Sequence, residues 1–281
     1  MLLTLLPLLA LAASIAADCS KDFLRNATAA YITAQSTGQT GLLSSFGVTP
    51  NFLYVENNRL VDWKSSTLST PIRIDVHRSI HDAVQCATFT EIIAATNPHP
   101  YVIHTRIVFD NNHSQKAALV ESVVTDEGDW LFNATGTLAL VASEKWDPIP
   151  KEKQESRETI QAYADAYFNR FGNVSVVVPW GAPCERVEGG LPAKGELRGA
   201  DCVMVWPSTI YVPYRRYVVD EEYGAVDIFV GFPGLDRTRN NEAAPDSHFF
   251  RGEGGKIKYL HTASACWTFG CGLNGTTFGR R

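Results

Sequence analysis

The chain has 281 residues, 45% apolar, 11% aromatic and 20% charged, with 25 basic against 30 acidic residues and a net charge of -5. That composition is globular and excludes a disordered chain, and the missing basic surplus argues against a nucleic-acid partner. The length suits one large domain or two of about 130 residues each.

Residues 2–13 are almost wholly apolar and lead into the small residues Ala13, Ser14, Ala16 and Ala17, the pattern of a secretory signal peptide over residues 1–17. No Lys or Arg precedes the run. A membrane anchor is the alternative, but about 12 apolar residues fall short of the roughly 20 that span a bilayer. No later segment is long enough, so no stable membrane span is expected. Five Asn-x-Ser/Thr sequons, at Asn26, Asn112, Asn133, Asn173 and Asn274, agree with export and mark candidate glycosylation sites; Asn133, directly after an apolar run, is the weakest of them. The six cysteines then read as three disulfides rather than thiols. Of fifteen connectivities, the short loops favour Cys184 with Cys202 and Cys266 with Cys271, leaving Cys19 for Cys86. No Cys-x-x-Cys pair supports zinc.

Residues 22–46 carry Phe23, Ala27, Ala30, Tyr31 and Ala34 at helical spacing, with Gly38 and Gly41 weakening the end. Residues 51–68 are irregular. Residues 86–95, 100–109, 117–125 and 130–142 are β-rich runs of an antiparallel meander. A Pro-rich and charged junction at 147–153 precedes a second helix with Ile160, Ala164, Tyr167, Phe168 and Phe171 on its apolar face. Strands follow at 216–220 and 225–232, then a hairpin of 248–251 with 256–263 turned at Gly252-Glu-Gly-Gly. The second half repeats the order of the first without obvious residue identity. The predicted fold class is therefore α+β, two disulfide-stapled units over residues 18–148 and 154–281.

Asp75-Val-His-Arg-Ser-Ile-His-Asp82, Cys86-Ala-Thr-Phe-Thr-Glu91, His99-Pro-Tyr-Val-Ile-His104, Val178-Pro-Trp-Gly-Ala-Pro-Cys184 and Asp246-Ser-His-Phe-Phe-Arg251 resemble a large DUF8021-like family of secreted fungal proteins of unassigned function. The two halves are similar in pattern to the cone of the NTF2, ketosteroid-isomerase and SnoaL-like superfamily, a helix packed on a curved antiparallel sheet.

There is no Gly-x-Ser-x-Gly elbow, phosphate loop, His-Glu-x-x-His helix or dinucleotide fingerprint, so no cofactor is expected and cofactor-free proton chemistry or binding is left. Asp75, His77, Arg78, His81 and Asp82 form the densest polar group. On a helical turn Arg78, His81 and Asp82 share a face, where Asp82 or Asp75 orients His81 beside a cation. The alternative is an Arg78 to Asp82 ion pair with no catalytic part. His77 and His81 lack a third metal ligand. His104 and Arg106 share one side of a strand and Glu121 lies on the next, all three expected to face water. Asp246 opposite His261, with His248 near Tyr259, forms a second candidate pairing. Five tryptophans, 130, 146, 180, 206 and 267, either line an apolar pocket or fill cores. The resemblance implies an isomerase, dehydratase or cyclase acting on a small apolar or polyketide-like metabolite in fungal secondary metabolism. The other reading is a non-catalytic secreted binding or effector protein. A carbohydrate-active enzyme would need paired carboxylates in an open cleft, and no pair announces itself. Oligomeric state is not legible.

Overall fold

The computed structural model describes residues 19–45, 47–110, 115–190, 202, 206–236, 239 and 242–271. The signal-peptide segment and the sequons at Asn112 and Asn274 lie outside them. Helix α1, Lys21–Thr37, starts at Ser20, whose side chain accepts from the Phe23 N–H. It stops at Gly38, which supplies the left-handed φ of 68° that ends the helix earlier than the predicted residue 46. Residues 51–68 are not irregular throughout: β1, Val48–Glu56, and the short β2, Arg59–Leu60, form here. Then come β3 (Val76–Asp82), β4 (Ala87–Ala94), β5 (Tyr101–Phe109) and β6 (Ala117–Thr125). The predicted fourth β run breaks into a turn and a helix, α2, Ala134–Val141. Asn133 caps it through the Gly136 N–H, and the buried Ala134, Thr137 and Val141 recur at three and four residues, the spacing of a helix face.

Helix α3, Arg157–Arg170, is capped by Ser156. It leads to β7 (Trp180–Glu188), β8 (Arg216–Asp220), β9 (Ala225–Phe232), β10 (Ala244–Glu253) and β11 (Lys256–Ser264). The fold is α+β with two sheets, ordered β2-β1-β6-β5-β4-β3 and β7-β11-β10-β9-β8. In each sheet the strand after the helix pairs parallel with the last strand, β1 with β6 and β7 with β11, and the rest is an antiparallel meander. Helix α1 covers the outer face of the first sheet through Leu24, Ala27 and Tyr31, and α3 covers the second through Ile160, Ala164 and Tyr167. The inner faces meet through Ile80, Phe89 and Val123 from one sheet and Val218, Phe229 and Phe249 from the other. The order of layers is helix, sheet, sheet, helix.

Two carboxylates tie the sheets together reciprocally. Asp82, the last residue of β3, accepts the Val219 N–H of β8 at 3.0 Å and holds Arg157, the first residue of α3, with both oxygens at 2.7 and 2.6 Å. Asp220, the last residue of β8, accepts the His81 N–H of β3 at 2.9 Å and holds Lys21, the first residue of α1, at 2.5 Å. Residue i of one half thus meets residue j of the other and j meets i, the rule of a two-fold interface. The ladder registers extend the correspondence, because Asp82 pairs with Ala87 as Asp220 pairs with Ala225. His104 and Ser247 then become equivalent positions, and they bond to each other at 2.8 Å. Identity between the halves does exist: Ser20 matches Ser156, Asp82 matches Asp220, Ala87 matches Ala225 and Tyr31 matches Tyr167.

The disulfides are Cys19–Cys86, Cys184–Cys202 and Cys266–Cys271, the pairing expected from loop length. The junction at 147–153 is not a free linker. Ile149 is buried and its N–H reaches the Glu222 carbonyl at 2.7 Å, while Arg251 donates to the Asp147 carbonyl at 2.8 Å. Removing the Asp82 carboxylate leaves Arg157 and several amides without their acceptor. Asp82→Ala is expected to cost about 3–5 kcal/mol in a urea unfolding titration, whereas the same change at the exposed Asp22 is expected to cost less than about 0.5 kcal/mol.

Candidate functional site

The His81 group does not assemble as a helical turn would arrange it. Residues 76–82 are a strand, so alternation sends Arg78 and Asp82 toward the second sheet and His81 toward α1. His81 Nε2 lies 3.3 Å from Thr28 Oγ1, and burial pushes the imidazole down to about 4, leaving it neutral. Asp75 closes a turn by accepting the Thr96 N–H at 2.8 Å. Asp82 is saturated by Arg157 and three backbone amides, so the alternative Arg78 to Asp82 ion pair does not form either.

Arg78 instead enters a network buried between the sheets. Its guanidinium lies 3.6 Å from Glu91 and 3.4 Å from Glu144, and it donates to the Val141 carbonyl at 2.5 Å. His261 bridges the two carboxylates, Nδ1 to Glu91 and Nε2 to Glu144, both at 2.8 Å. Burial alone would push this imidazole down, but Glu144 and Glu91 override it and hold the pKa up at about 10, so the ring is an imidazolium. His104 sits on the other side of Glu91 at 3.4 Å and bonds Ser247, which lies 2.7 Å from Asp227. Burial lowers the His104 pKa and raises that of Asp227 well above the carboxylate range. Ser247, His104 and Glu91 resemble a nucleophilic triad in composition only: the Ser247 hydroxyl donates to Asp227 rather than to His104, and the three lie in the seam between the packed sheets.

Three of the expected surface positions are therefore core positions. His104 and Arg106 face the second sheet, and Glu121 accepts from Arg106 at 3.0 Å and from Arg216 at 2.7 Å. Trp146 stacks on Phe249 with ring centroids 4.7 Å apart, between the guanidinium groups of Arg78 and Arg251, as packing rather than pocket lining.

The predicted pairing of Asp246 with His261 fails on register. The turn is two residues, Gly254 and Gly255, both at positive φ, and a bulge follows Arg251, so Asp246 faces Ser264, His248 faces Thr262 and His261 faces Phe249. Asp246 and His248 nevertheless come together, two residues apart on the α3 side of β10. His248 Nδ1 is 3.1 Å from Asp246 Oδ2 without the alignment of a hydrogen bond, and Asp246 Oδ1 accepts from Ser264. Beside them on β11, Thr262 Oγ1 has no hydrogen-bond partner. Arg186 and Glu188 on β7 are 3.1 Å apart, and Trp130, from the first half, donates to Glu188 at 3.0 Å. Tyr167, Phe232 and Phe250 surround the imidazole, and Trp180 and Trp206 pack beyond Tyr167.

The first half provides an internal control. By register Thr105 stands where His248 does, Ile103 where Asp246 does, Ser122 where Thr262 does, and Tyr31 where Tyr167 does. At those equivalent positions the polar groups satisfy one another, Tyr31 to Thr105 at 2.7 Å and Thr105 to Ser122 at 2.8 Å, while His81 Nδ1 and Thr88 Oγ1 elsewhere on that face make no hydrogen bond among the described residues. Buried polar groups are normally paired. The second half leaves Asp246 Oδ2, His248 Nδ1 and Thr262 Oγ1 unpartnered on one face of adjacent strands.

A DUF8021 domain, a domain of unknown function, covers residues 153–264, from just before α3 to the end of β11. That span holds Asp246, His248, Thr262, Tyr167 and Arg186, and the first half lies outside it. No curated protein matches the chain. Among the described residues no His, Cys, Asp and Glu group fits a metal ion, and no helix is long and apolar enough to cross a membrane.

The period-two placement of Asp246, His248 and Phe250 was the available signal for the dyad. Two pH effects follow from the inter-sheet network. The folded pKa of His261 lies above its ordinary 6.5, so its contribution is complete below about pH 6.5 and is lost as pH rises to about 10. The urea midpoint is expected to fall over that interval, and His261→Gln to flatten the fall. Burial raises the Asp227 pKa above its ordinary 3.8, so its ionisation opposes folding and stability falls as pH rises above 3.8. Asp227→Asn is expected to raise stability at pH 7 by on the order of 1 kcal/mol, with the gain disappearing below pH 3.8.

Proposed function

We propose that the chain is an exported protein whose second half binds a small, largely apolar metabolite between α3 and its sheet and performs cofactor-free proton transfer on it. His248, oriented by Asp246, moves the proton, while Thr262 and Arg186 hold the oxygen on which negative charge develops. The reaction class is isomerisation, dehydration or cyclisation of a polyketide-like compound in fungal secondary metabolism. The observation that carries this reading is the buried His248 Nδ1 to Asp246 Oδ2 contact of 3.1 Å beside Thr262 Oγ1, three polar atoms that make no hydrogen bond among the described residues and sit among aromatic rings, where the first-half equivalents Thr105 and Ser122 bond each other. Groups left unpaired in a dry interior cost stability and persist where a ligand uses them. The three disulfides fit an extracellular or secretory-pathway protein. The halves read as two NTF2-like units, residues 18–148 and 154–281, from one duplicated ancestor, with the first retained as scaffold.

The second reading, a non-catalytic secreted binding or effector protein, draws on that filled first half. Comparing metabolites secreted with and without the gene separates the two, because an accumulated precursor identifies a substrate and an unchanged profile removes the enzyme reading. On the accumulated compound, His248→Gln and Asp246→Asn are each expected to lower turnover about 100-fold or more, with melting temperatures within a few degrees of the parent. Ser122→Ala, in the first-half interior, is expected to leave turnover unchanged. Full activity in His248→Gln would remove the assignment.

A further inference from the structure

Of the three sequons among the described residues, two are poorly placed to carry a glycan. Asn26 is exposed on α1, but the Thr28 of its sequon is buried with its hydroxyl against His81. Asn133 caps α2 with its side-chain oxygen and packs so closely on Gly190 that a Cβ there would come within 2.0 Å of the Asn133 carbonyl. Asn173 differs. It is exposed just past the end of α3, its Oδ1 accepts the Ser175 N–H at 3.0 Å, and its Nδ2, the atom a glycan attaches to, makes no hydrogen bond among the described residues.

Asn173 also lines a groove of about 420 Å³ with Gly172, Val176, Ile210, Tyr211 and Arg215. The groove is preformed. Arg215 is fixed by Asp165 at 2.7 Å, Asn169 at 2.8 Å and the Val212 carbonyl at 3.0 Å, and it lies over Phe168. Around it the chain exposes large apolar surface, with Tyr211 76%, Val177 84% and Tyr214 86% accessible. Clusters of that kind on a soluble protein mark a covered or binding surface. A pyranose ring offers one face of C–H groups to a tyrosine ring and a rim of hydroxyls to asparagine and carbonyl groups, which is the chemistry this groove presents.

We infer that Asn173 is N-glycosylated and that the first sugars of its own glycan fold back into this groove against Tyr211. The inference rests on export, one part of the reading above, and not on the chemistry proposed for His248. The full chain, produced in a eukaryotic secretory host, is mapped by peptide mass spectrometry before and after amidase release of N-glycans, with Asn173→Gln as the occupancy control. Residue 173 is expected to be occupied, and its glycan to be released at least about tenfold more slowly from the native protein than from the denatured one. Tyr211→Ala, an exposed position, is expected to bring the native rate close to the denatured rate. An unmodified Asn173 in the exported protein would overturn the site. Native release as fast as denatured release, or no effect of Tyr211→Ala, would overturn the seat in the groove, and loss of His248-dependent turnover would bear on neither.

Discussion

The reciprocal clamp of Asp82 and Asp220 is the constraint on which the rest of the structure depends. Each carboxylate ends an edge strand, takes a backbone amide from the opposite sheet and anchors the first residue of the opposite half's helix. Burying two carboxylates is costly unless each is paired and fully hydrogen-bonded, and here each takes its charged partner and one strand amide from the other half while turn amides of its own half supply the rest. Neither sheet can satisfy its own edge, so the layers have one low-energy arrangement.

Between the sheets the two-fold relation is kept in backbone and broken in chemistry. Phe89 and Asp227 are equivalent positions, as are Glu91 and Phe229, and Glu121 and His261. Identical residues at the charged positions would place like charges against each other across the axis. The divergence turns those clashes into complements: Glu91 meets His261, and Arg106 lies over Phe229. The same divergence explains why so many charged residues are buried in a chain whose net charge is small.

A similar divergence separates the two helix-covered interiors. In the first, hydroxyls close a chain from Tyr31 to Ser122, and only His81 Nδ1 and Thr88 Oγ1, nearer the sheet edge, lack a hydrogen bond among the described residues. In the second, Asp246 and His248 replace an isoleucine and a threonine, and their unpartnered atoms gather under Tyr167 beside Arg186 and Glu188. Trp130 crosses from the first half to bond Glu188, so the second interior is completed by a residue outside its own half.

Several features were legible from sequence because their causes are local. Helical spacing from Phe23 to Ala34 and from Ile160 to Phe171, the run at 117–125 and the two disulfides closed by short loops each depend on neighbours in the chain. The candidate site was half legible: strand alternation alone places Asp246 and His248 on one face. Most of what failed did so for one reason. Reading a strand from sequence assumes that buried positions are apolar, and the strand at 76–82 and the inward faces of His104, Arg106 and Glu121 bury charge instead, paired with partners between 15 and 170 residues away. The hairpin register slipped because the turn is two residues rather than four and a bulge adds one more that no periodicity announces. By itself the sequence determined the α+β class, the presence of α1 and α3, and the disulfide staples. Only the tertiary structure decided which charges are sealed between the sheets and which polar groups lack partners, because pairing across a two-fold seam is a property of two surfaces meeting and not of either strand alone.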